Sequence, residues 1–388
     1  MADYGMICEW NPLHLGHVRL LEYARRLGAD RIVCVMSGNT VQRGEFAIAD
    51  RYLRAEAAIR CGVDLVLELP FPWCSGSAEV FARGGISILR HFADRLVFGS
   101  ECGSVETLRK AAQIAATEEF RSFYRESLEE GIPAAKAYCD ALSRWGAEEL
   151  SSNDLLGVEY LRAIQDLDAG MGADTFKREG AAYRQTRMGG EAYPSASAIR
   201  SLWERGDFEG ARAYLPEAAE AVYARGRVEG RFRRQGGLDE AILSYFRLHD
   251  GGDFEGIVGT EGGLAYRICR LAQSARTVDE LLAALKNKRY TDAHLRRVLL
   301  FCLFGVKPTD LQGLPLYTTV LGASEQGRAL LREMGKCLPD PCFLVTKPAD
   351  APESRQSVLA RRVDGIFTLS TERTSPAFDL MKRKPYLG

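Results

Sequence analysis

The sequence predicts an α/β chain: a parallel β-sheet covered by helices on both faces, followed by a mainly helical second half. Three observations carry this. Short, unbroken apolar runs recur through the first hundred residues, among them "RIVCVM" and "DLVLELP". Stretches of helical apolar spacing separate them. Polar segments rich in Gly, Asn and Ser follow the runs at their carboxyl ends. Strands buried on both faces read as continuous apolar runs, and their parallel pairing requires crossover helices.

The elements follow in order. Residues 4–9 form a first strand. Residues 15–27 form a helix, with Val18, Leu20, Leu21, Ala24 and Leu27 at helical spacing. Residues 31–36 are a second strand, 51–61 a helix, 64–70 a third strand, 77–92 a helix and 95–101 ("RLVFGSE") a fourth strand. From 105 to about 167 the pattern is mostly helical, and 173–183 reads as a further strand and loop. "YPSASAIRSLWERG" (193–206) places serines ahead of an apolar-periodic run, a helix start. Beyond 206 helical patterns dominate, as in 238–248 and 292–304, where Thr291 is positioned as an N-cap. The division expected is 1–205 and 206–388.

At 388 residues the length prior favours two domains, or three. Apolar residues are 46% and charged residues 27%, ordinary for a chain that buries a full core. No stretch approaches a membrane span, and the first 28 residues lack the basic and apolar regions of a secretion signal, which points to the cytoplasm. The ten cysteines are scattered, with no C-x-x-C, and several sit inside apolar runs. They read as buried free thiols in a reducing compartment, which makes a zinc site or disulfide framework unlikely on sequence grounds. Net charge is −1, but residues 201–388 carry +4 and the rest −5, a mild asymmetry that permits a polyanionic partner for the second half.

The chemistry concentrates in "CEWNPLHLGH" (8–17). It holds two of the five histidines, directly after the first strand. Open parallel sheets bind ligands beyond the carboxyl ends of their strands. The segments "WNPLHLGH", "SGNTVQRGEFA", "FPWCSGSAE" and "GSECGS" all lie there and should converge on one crevice. A helix that opens there offers first-turn N–H groups and a positive dipole end to an anion. Gly16 admits a ligand close to the backbone. His14 and His17, three apart, fall on one side of the first turn and can stabilise charge on a phosphorus under attack. Asn11 fixes the loop or holds the ligand. Gln42 and Arg43, in the polar segment after the second strand, line the same crevice. Glu68 stands inside a buried strand and needs a partner.

N-P-x-H-x-G-H resembles the signature of the nucleotidylyltransferase superfamily, and "SASAIR" (195–200) resembles its second element, a serine-rich helix start ending in Ile-Arg. "GMICEWNPLHLGH", "VMSGNTVQRGEFAIADR", "GVDLVLELPF", "FGSE", "SNDLLGVEYL", "KRYTDAHLRRVLL" and "LGASEQGRALL" together resemble the tRNA(Met) cytidine acetate ligase family over most of the chain. The resemblance implies a Rossmann-like nucleotidylyltransferase domain and an ATP-dependent, carbon–nitrogen bond-forming ligase. It implies activation of acetate to acetyl-adenylate, then acetylation of the exocyclic amine of the wobble cytidine of elongator tRNA(Met). It assigns ATP contact to Ile7, Cys8, Glu9, Trp10, Asn11, Pro12, Leu13, His14, Leu15, Gly16, His17, Val18, Arg19 and Leu20, with His14 and His17 catalytic. It adds Asn153, Arg178, Ser197, Arg200 and a glycine near residue 100, for which Gly99 and Gly103 are the candidates. One departure is visible: the family commonly continues K-R-x-G-A-x-Y with His-Asp, and this sequence reads "YRQT" (183–186).

The expected chemistry needs no Ser or Cys nucleophile, because the carboxylate attacks phosphorus and the amine later attacks the carbonyl. Positioning and charge stabilisation suffice. Mg²⁺ is expected on the phosphates, held by the substrate rather than by a protein cage, so no protein metal ligands are assigned. Two basic groups are candidates for RNA phosphates. One is Arg225, Arg227, Arg231, Arg233 and Arg234; the other is Lys286, Lys288, Arg289, Arg296 and Arg297. Solvated helix faces are the plainer alternative. No membrane and no protein partner are implied. The rival functions are a small-molecule adenylyltransferase of cofactor synthesis and a non-catalytic tRNA-binding protein that retains ATP.

Overall fold

The computed structural model describes residues 2–178, 195–288, 290–334 and 343–388, the side chain of Ala135 excepted. The strands are β1 (Ala2–Cys8), β2 (Ala29–Ser37), β3 (Thr40–Val41), β4 (Glu45–Phe46), β5 (Leu65–Leu69), β6 (Arg95–Ser100), β7 (Gly172–Lys177), β8 (Tyr317–Ala323), β9 (Phe343–Val345) and β10 (Tyr386–Leu387). Eight of them form one sheet in the order β10-β8-β5-β2-β1-β6-β7, with β9 on β8; β3 and β4 make a small separate ribbon. Pairing from β5 through β2, β1 and β6 to β7 is parallel throughout. The chain winds outward through β1, β2 and β5, then returns to add β6 and β7 on the other side of β1. That reversal leaves a crevice beyond the carboxyl end of β1, where such sheets bind ligands.

The crossovers are α1 (Leu15–Arg26), α2 (Arg51–Arg60) and α3 (Ala78–Leu89), and the long return to β7 is α4 (Val105–Ala115), α5 (Glu118–Glu129), α6 (Ala134–Arg144) and α7 (Ser152–Asp166). Side-chain caps explain where several begin. Asp50 accepts from the backbone of Tyr52 and Leu53, Ser77 from Val80 and Ser104 from Thr107. Close packing explains their seating. A Cβ on Gly5 of β1 would come 2.4 Å from Leu89 of α3, and one on Gly85 of α3 would come 2.6 Å from Ile7, so the helix lies flat on the strand.

The second half supplies α8 (Ala196–Glu204), α9 (Phe208–Arg212), α10 (Glu217–Val228), α11 (Asp239–Leu248), α12 (Leu264–Ala272), α13 (Val278–Leu285), α14 (Asp292–Phe304), α15 (Thr309–Gln312), α16 (Glu325–Met334) and α17 (Arg355–Ser370). Thr291 caps α14 through the His294 N–H at 3.2 Å. Two departures from expectation stand out. The polar segment after β2 is the ribbon β3–β4, not an open loop. The sheet is also not wholly parallel and does not stop near residue 205. β8 runs antiparallel to β5 and is buried along its whole length, while β9 and β10 pair parallel with β8.

Buried ion pairs lock the second half to the first. Arg51 of α2 makes two hydrogen bonds to the Asp364 carboxylate of α17, Asn39 donates to Asp364 at 2.9 Å, and Glu68 lies 3.5 Å from Arg51. Arg51 thus supplies the partner that Glu68 requires. The eight described cysteines are free thiols; Cys337 and Cys342 lie outside the described residues. Among the described residues no helix is long and apolar enough to cross a membrane.

Candidate active site

The loop 9–14 sits at the end of β1 and is held by the protein from below. Arg54 is wholly buried. Its guanidinium donates to the carbonyls of Ala49 at 3.0 Å, Glu9 at 2.6 Å and Ser37 at 3.0 Å, and to that of Gly38. One cation therefore gathers the ends of β1 and β2. Asn11 accepts from the Ile48 N–H at 2.7 Å, and its carbonyl accepts from Arg200 at 2.8 Å. Trp10 takes a left-handed φ of 40°, a strained conformation for a bulky residue and one that recurs at functional sites.

The two histidines cap α1 in a reciprocal box. The His14 Nδ1 accepts from the Gly16 N–H at 3.1 Å, and the His17 Nδ1 accepts from the His14 N–H at 3.2 Å. The rings stack with centroids 3.8 Å apart. An accepting Nδ1 in a neutral ring puts the proton on Nε2, so each ring carries an Nε2–H donor. The expectation of bare first-turn N–H groups is corrected here. Leu13 donates to the Tyr223 hydroxyl, Leu15 to the Tyr214 carbonyl, Gly16 to His14 and His17 to the His14 carbonyl. Neutral imidazoles, rather than open backbone, are the donors on offer.

Burial, and then the nearby Arg178 guanidinium, pushes His14 down to about 4. Burial holds His17 well below its ordinary range, with His14 and Arg178 adding to the effect. The folded His14 thus resists protonation, while the unfolded chain takes that proton near pH 6.5. Between about pH 6.5 and 4 the unfolded state binds more protons, so stability rises with pH across that window. We expect denaturant midpoints to fall on acidification from pH 7 and the slope to flatten in His14→Gln. An equal slope in that variant would remove His14 as a cause.

A second cluster faces the pair. Glu101, just beyond β6, accepts from the Asn153 amide at 2.6 Å and from the Ser151 hydroxyl, and lies 3.7 Å from Arg178. Glu101, the last residue of "FGSE", thus holds two of the assigned residues, Asn153 and Arg178. Gly99 packs on Arg178, where a Cβ would come within 3.2 Å, and Gly103 adopts a positive φ of 68°. Ser197, in the first turn of α8, lies 3.2 Å from the Ser195 hydroxyl. Arg200 is 3.3 Å from Glu45 on β4 as well as bonded to Asn11. Gln42 donates its N–H to Glu9 at 2.8 Å.

Other assigned residues serve the core. Trp10 and Leu13 are buried, and Ile7, Cys8, Val18 and Leu20 are partly buried against the hydrophobic core. Arg19 lies over the Phe176 ring. Several cations of the run 225–235 are paired within the protein. Arg225 pairs with Glu56 and Glu229, Arg231 with Asp50 at 2.7 Å, and Arg233 with Glu204 at 3.3 Å, while Arg227 lies over Phe208. Arg231, enclosed by its acids, is a structural tie. Arg234 and Lys288 are exposed. Arg289 and the segment 183–186 lie outside the described residues.

The sequence model of the HIGH Nucleotidyl Transferase family matches residues 1–377. The tRNA(Met) cytidine acetate ligase of Caldanaerobacter subterraneus is 36% identical over 366 residues, covering 90% of this chain and 89% of that protein. The chain belongs to the tRNA(Met) cytidine acetate ligase family. The ligase of Thermotoga maritima is also 36% identical, over 84% of this chain and 83% of its own. The crystal structure of Thermotoga maritima TmcAL bound with alpha-thio ATP superposes with a TM-score of 0.89 at 31% identity, covering 100% of this chain and 99% of that one. The apo form of the same ligase gives 0.90. The expected fold class is therefore that of the acetate ligase family, with the antiparallel β8 as its amendment to a parallel sheet.

Proposed function

We propose that this chain binds ATP at the mouth of α1, activates acetate, and acetylates the exocyclic amine of the wobble cytidine of elongator tRNA(Met). The observation that carries the reading is the stacked His14–His17 pair, each ring accepting at Nδ1 and so donating from Nε2, at the reversal point of the sheet. Family membership supplies the substrates. Acetate would leave oxide behind if attacked directly. Its carboxylate instead attacks the α-phosphorus, pyrophosphate departs, and the resulting acetyl-adenylate has AMP as its leaving group. The cytidine amine then attacks the acetyl carbonyl and loses a proton. Neutral donors suit the first step. They stabilise charge building on the α-phosphate oxygens without giving a proton to the attacking carboxylate.

Arg178 and Arg200 supply positive charge on either side, and Asn153, Ser197 and the backbone at Gly99 or Gly103 complete the ATP contacts. Among the described residues no cluster of three or more His, Cys, Asp or Glu side chains is assembled. ATP is therefore taken to arrive as its Mg²⁺ complex, with the ion on phosphate oxygens. Residues 206–388 form the RNA-facing part, with Arg234 and Lys288 as exposed cations and Arg289 as a further candidate from the sequence. A tRNA substrate and free thiols together support the cytoplasm as its compartment.

Incubation with ATP, labelled acetate and a tRNA(Met) transcript tests this. Label in the RNA, and pyrophosphate exchange that requires acetate, are the expected results. Exchange with no carboxylate at all would overturn the assignment. Glu101→Gln should raise the apparent KM for ATP in that exchange roughly tenfold, because an amide cannot accept from both Asn153 and Ser151 and pair with Arg178. An unchanged KM would leave Glu101 as a surface acid.

A further inference from the structure

Arg297 is the cation of α14 that the fold leaves without an acid. Its neighbour Arg296 pairs with Asp279 at 2.7 Å, and the arginines Arg51, Arg225, Arg231 and Arg233 all meet carboxylates. Arg297 instead makes one contact, an Nη1 hydrogen bond at 3.3 Å to the Gln42 carbonyl in the β3–β4 ribbon, and no carboxylate reaches it among the described residues. It is half-buried, and burial alone pushes its pKa down, with no acid opposing. A desolvated guanidinium without a counter-charge is costly. Folding alone gives no reason to keep it.

Its position supplies one. The ribbon tip is clamped on α14: a Cβ on Gly44, at φ 77°, would come 2.3 Å from the Arg297 backbone nitrogen. Arg43, beside that glycine, is exposed and close enough to Glu9 and Arg200 to bias their ionisation. The same tip reaches the ATP crevice, through the Gln42 N–H on Glu9 and Glu45 on Arg200. The tip therefore lies between two cationic places, Arg200 bonded to the loop 9–14 and Arg297 on α14.

We propose that Arg297, with Arg43 beside it, binds a backbone phosphate of the RNA strand that carries the acceptor cytidine. This rests on the tRNA reading above and adds the place where the strand is held. The ATP triphosphate is the other source of phosphate. It is disfavoured because Arg178 acts on the histidines and Arg200 bonds the Asn11 carbonyl, whereas Arg297 bonds the ribbon tip.

The test is Arg297→Met in the full chain, which keeps the apolar stem and deletes the charge. Three readouts are compared with the parent protein. The tRNA KM should rise about tenfold, and the slope of log affinity against log salt should shrink by about 0.7, the share of one single-strand phosphate contact. Acetate-dependent pyrophosphate exchange should keep its KM for ATP. The thermal midpoint without ligand should hold or rise, since an unpaired charge has been removed. An unchanged tRNA KM overturns the proposal. A raised KM for ATP reassigns Arg297 to the triphosphate and overturns it equally. A lowered midpoint with unchanged salt slope makes the residue structural. If the parent protein labels no RNA in the same assay, the functional reading fails, rather than this site.

Discussion

His17→Ala is expected to lower acetate-dependent pyrophosphate exchange by about 10²–10³-fold, the range seen when one donor to a developing oxyanion is lost. Its affinity for tRNA should stay within about twofold, because the substitution leaves Arg43 and Arg297, the RNA contacts proposed here, in place. The substitution acts on the chemistry and on the fold. It deletes one Nε2–H donor, and it strips the stacking partner 3.8 Å from His14. It also removes the acceptor for the His14 N–H, a cap whose loss costs about 1 kcal/mol. His17→Asn, which can restore the cap acceptor but not the Nε2–H donor, separates the two: stability should recover and exchange should not. Intact exchange with lost tRNA binding in His17→Ala would contradict the mechanism at its root.

The largest effect on stability should come from Asp364→Ala. Asp364 and Arg51 are each only 3% exposed at the side chain. Removing the acid leaves a buried guanidinium facing Glu68 at 3.5 Å and an Asn39 amide without its acceptor. Breaking one side of such a pair costs about 3–5 kcal/mol. The denaturant midpoint should drop accordingly with little change in slope. Replacing both partners by apolar residues of similar size, Arg51→Met with Asp364→Leu, should recover much of the loss. A drop below about 1 kcal/mol in the single variant would mean that water reaches the pair and that burial has been overstated.

Much of this was legible in the sequence because the relevant signals are local. The first four parallel strands are unbroken apolar runs, the helices between them show helical apolar spacing, and Thr291 reads as the cap of α14. The histidine pair is visible because residues three apart on a helix start must meet. What escaped reading is non-local. β8 carries a β-branched run, "YTTVLGA", but its partner β5 lies some 250 positions earlier, and nothing near it says that it joins that sheet. Arg54, in an ordinary amphipathic pattern, gives no hint that it binds four carbonyls. The pairing of the basic run 225–235 is non-local too. Composition shows cations, but not the Glu56, Asp50 and Glu204 that the fold brings to them.

The antiparallel β8 has a consequence for how the molecule is made. During synthesis the strands up to β7 can assemble, but β5 keeps a bare flank until residue 323 leaves the ribosome. That flank is a buried, wholly apolar edge apart from Glu68, the kind that recruits other nascent chains. A protein truncated at residue 205 should therefore aggregate rather than persist as a smaller nucleotide-binding unit, and the second half that completes the sheet also shields the half-built molecule.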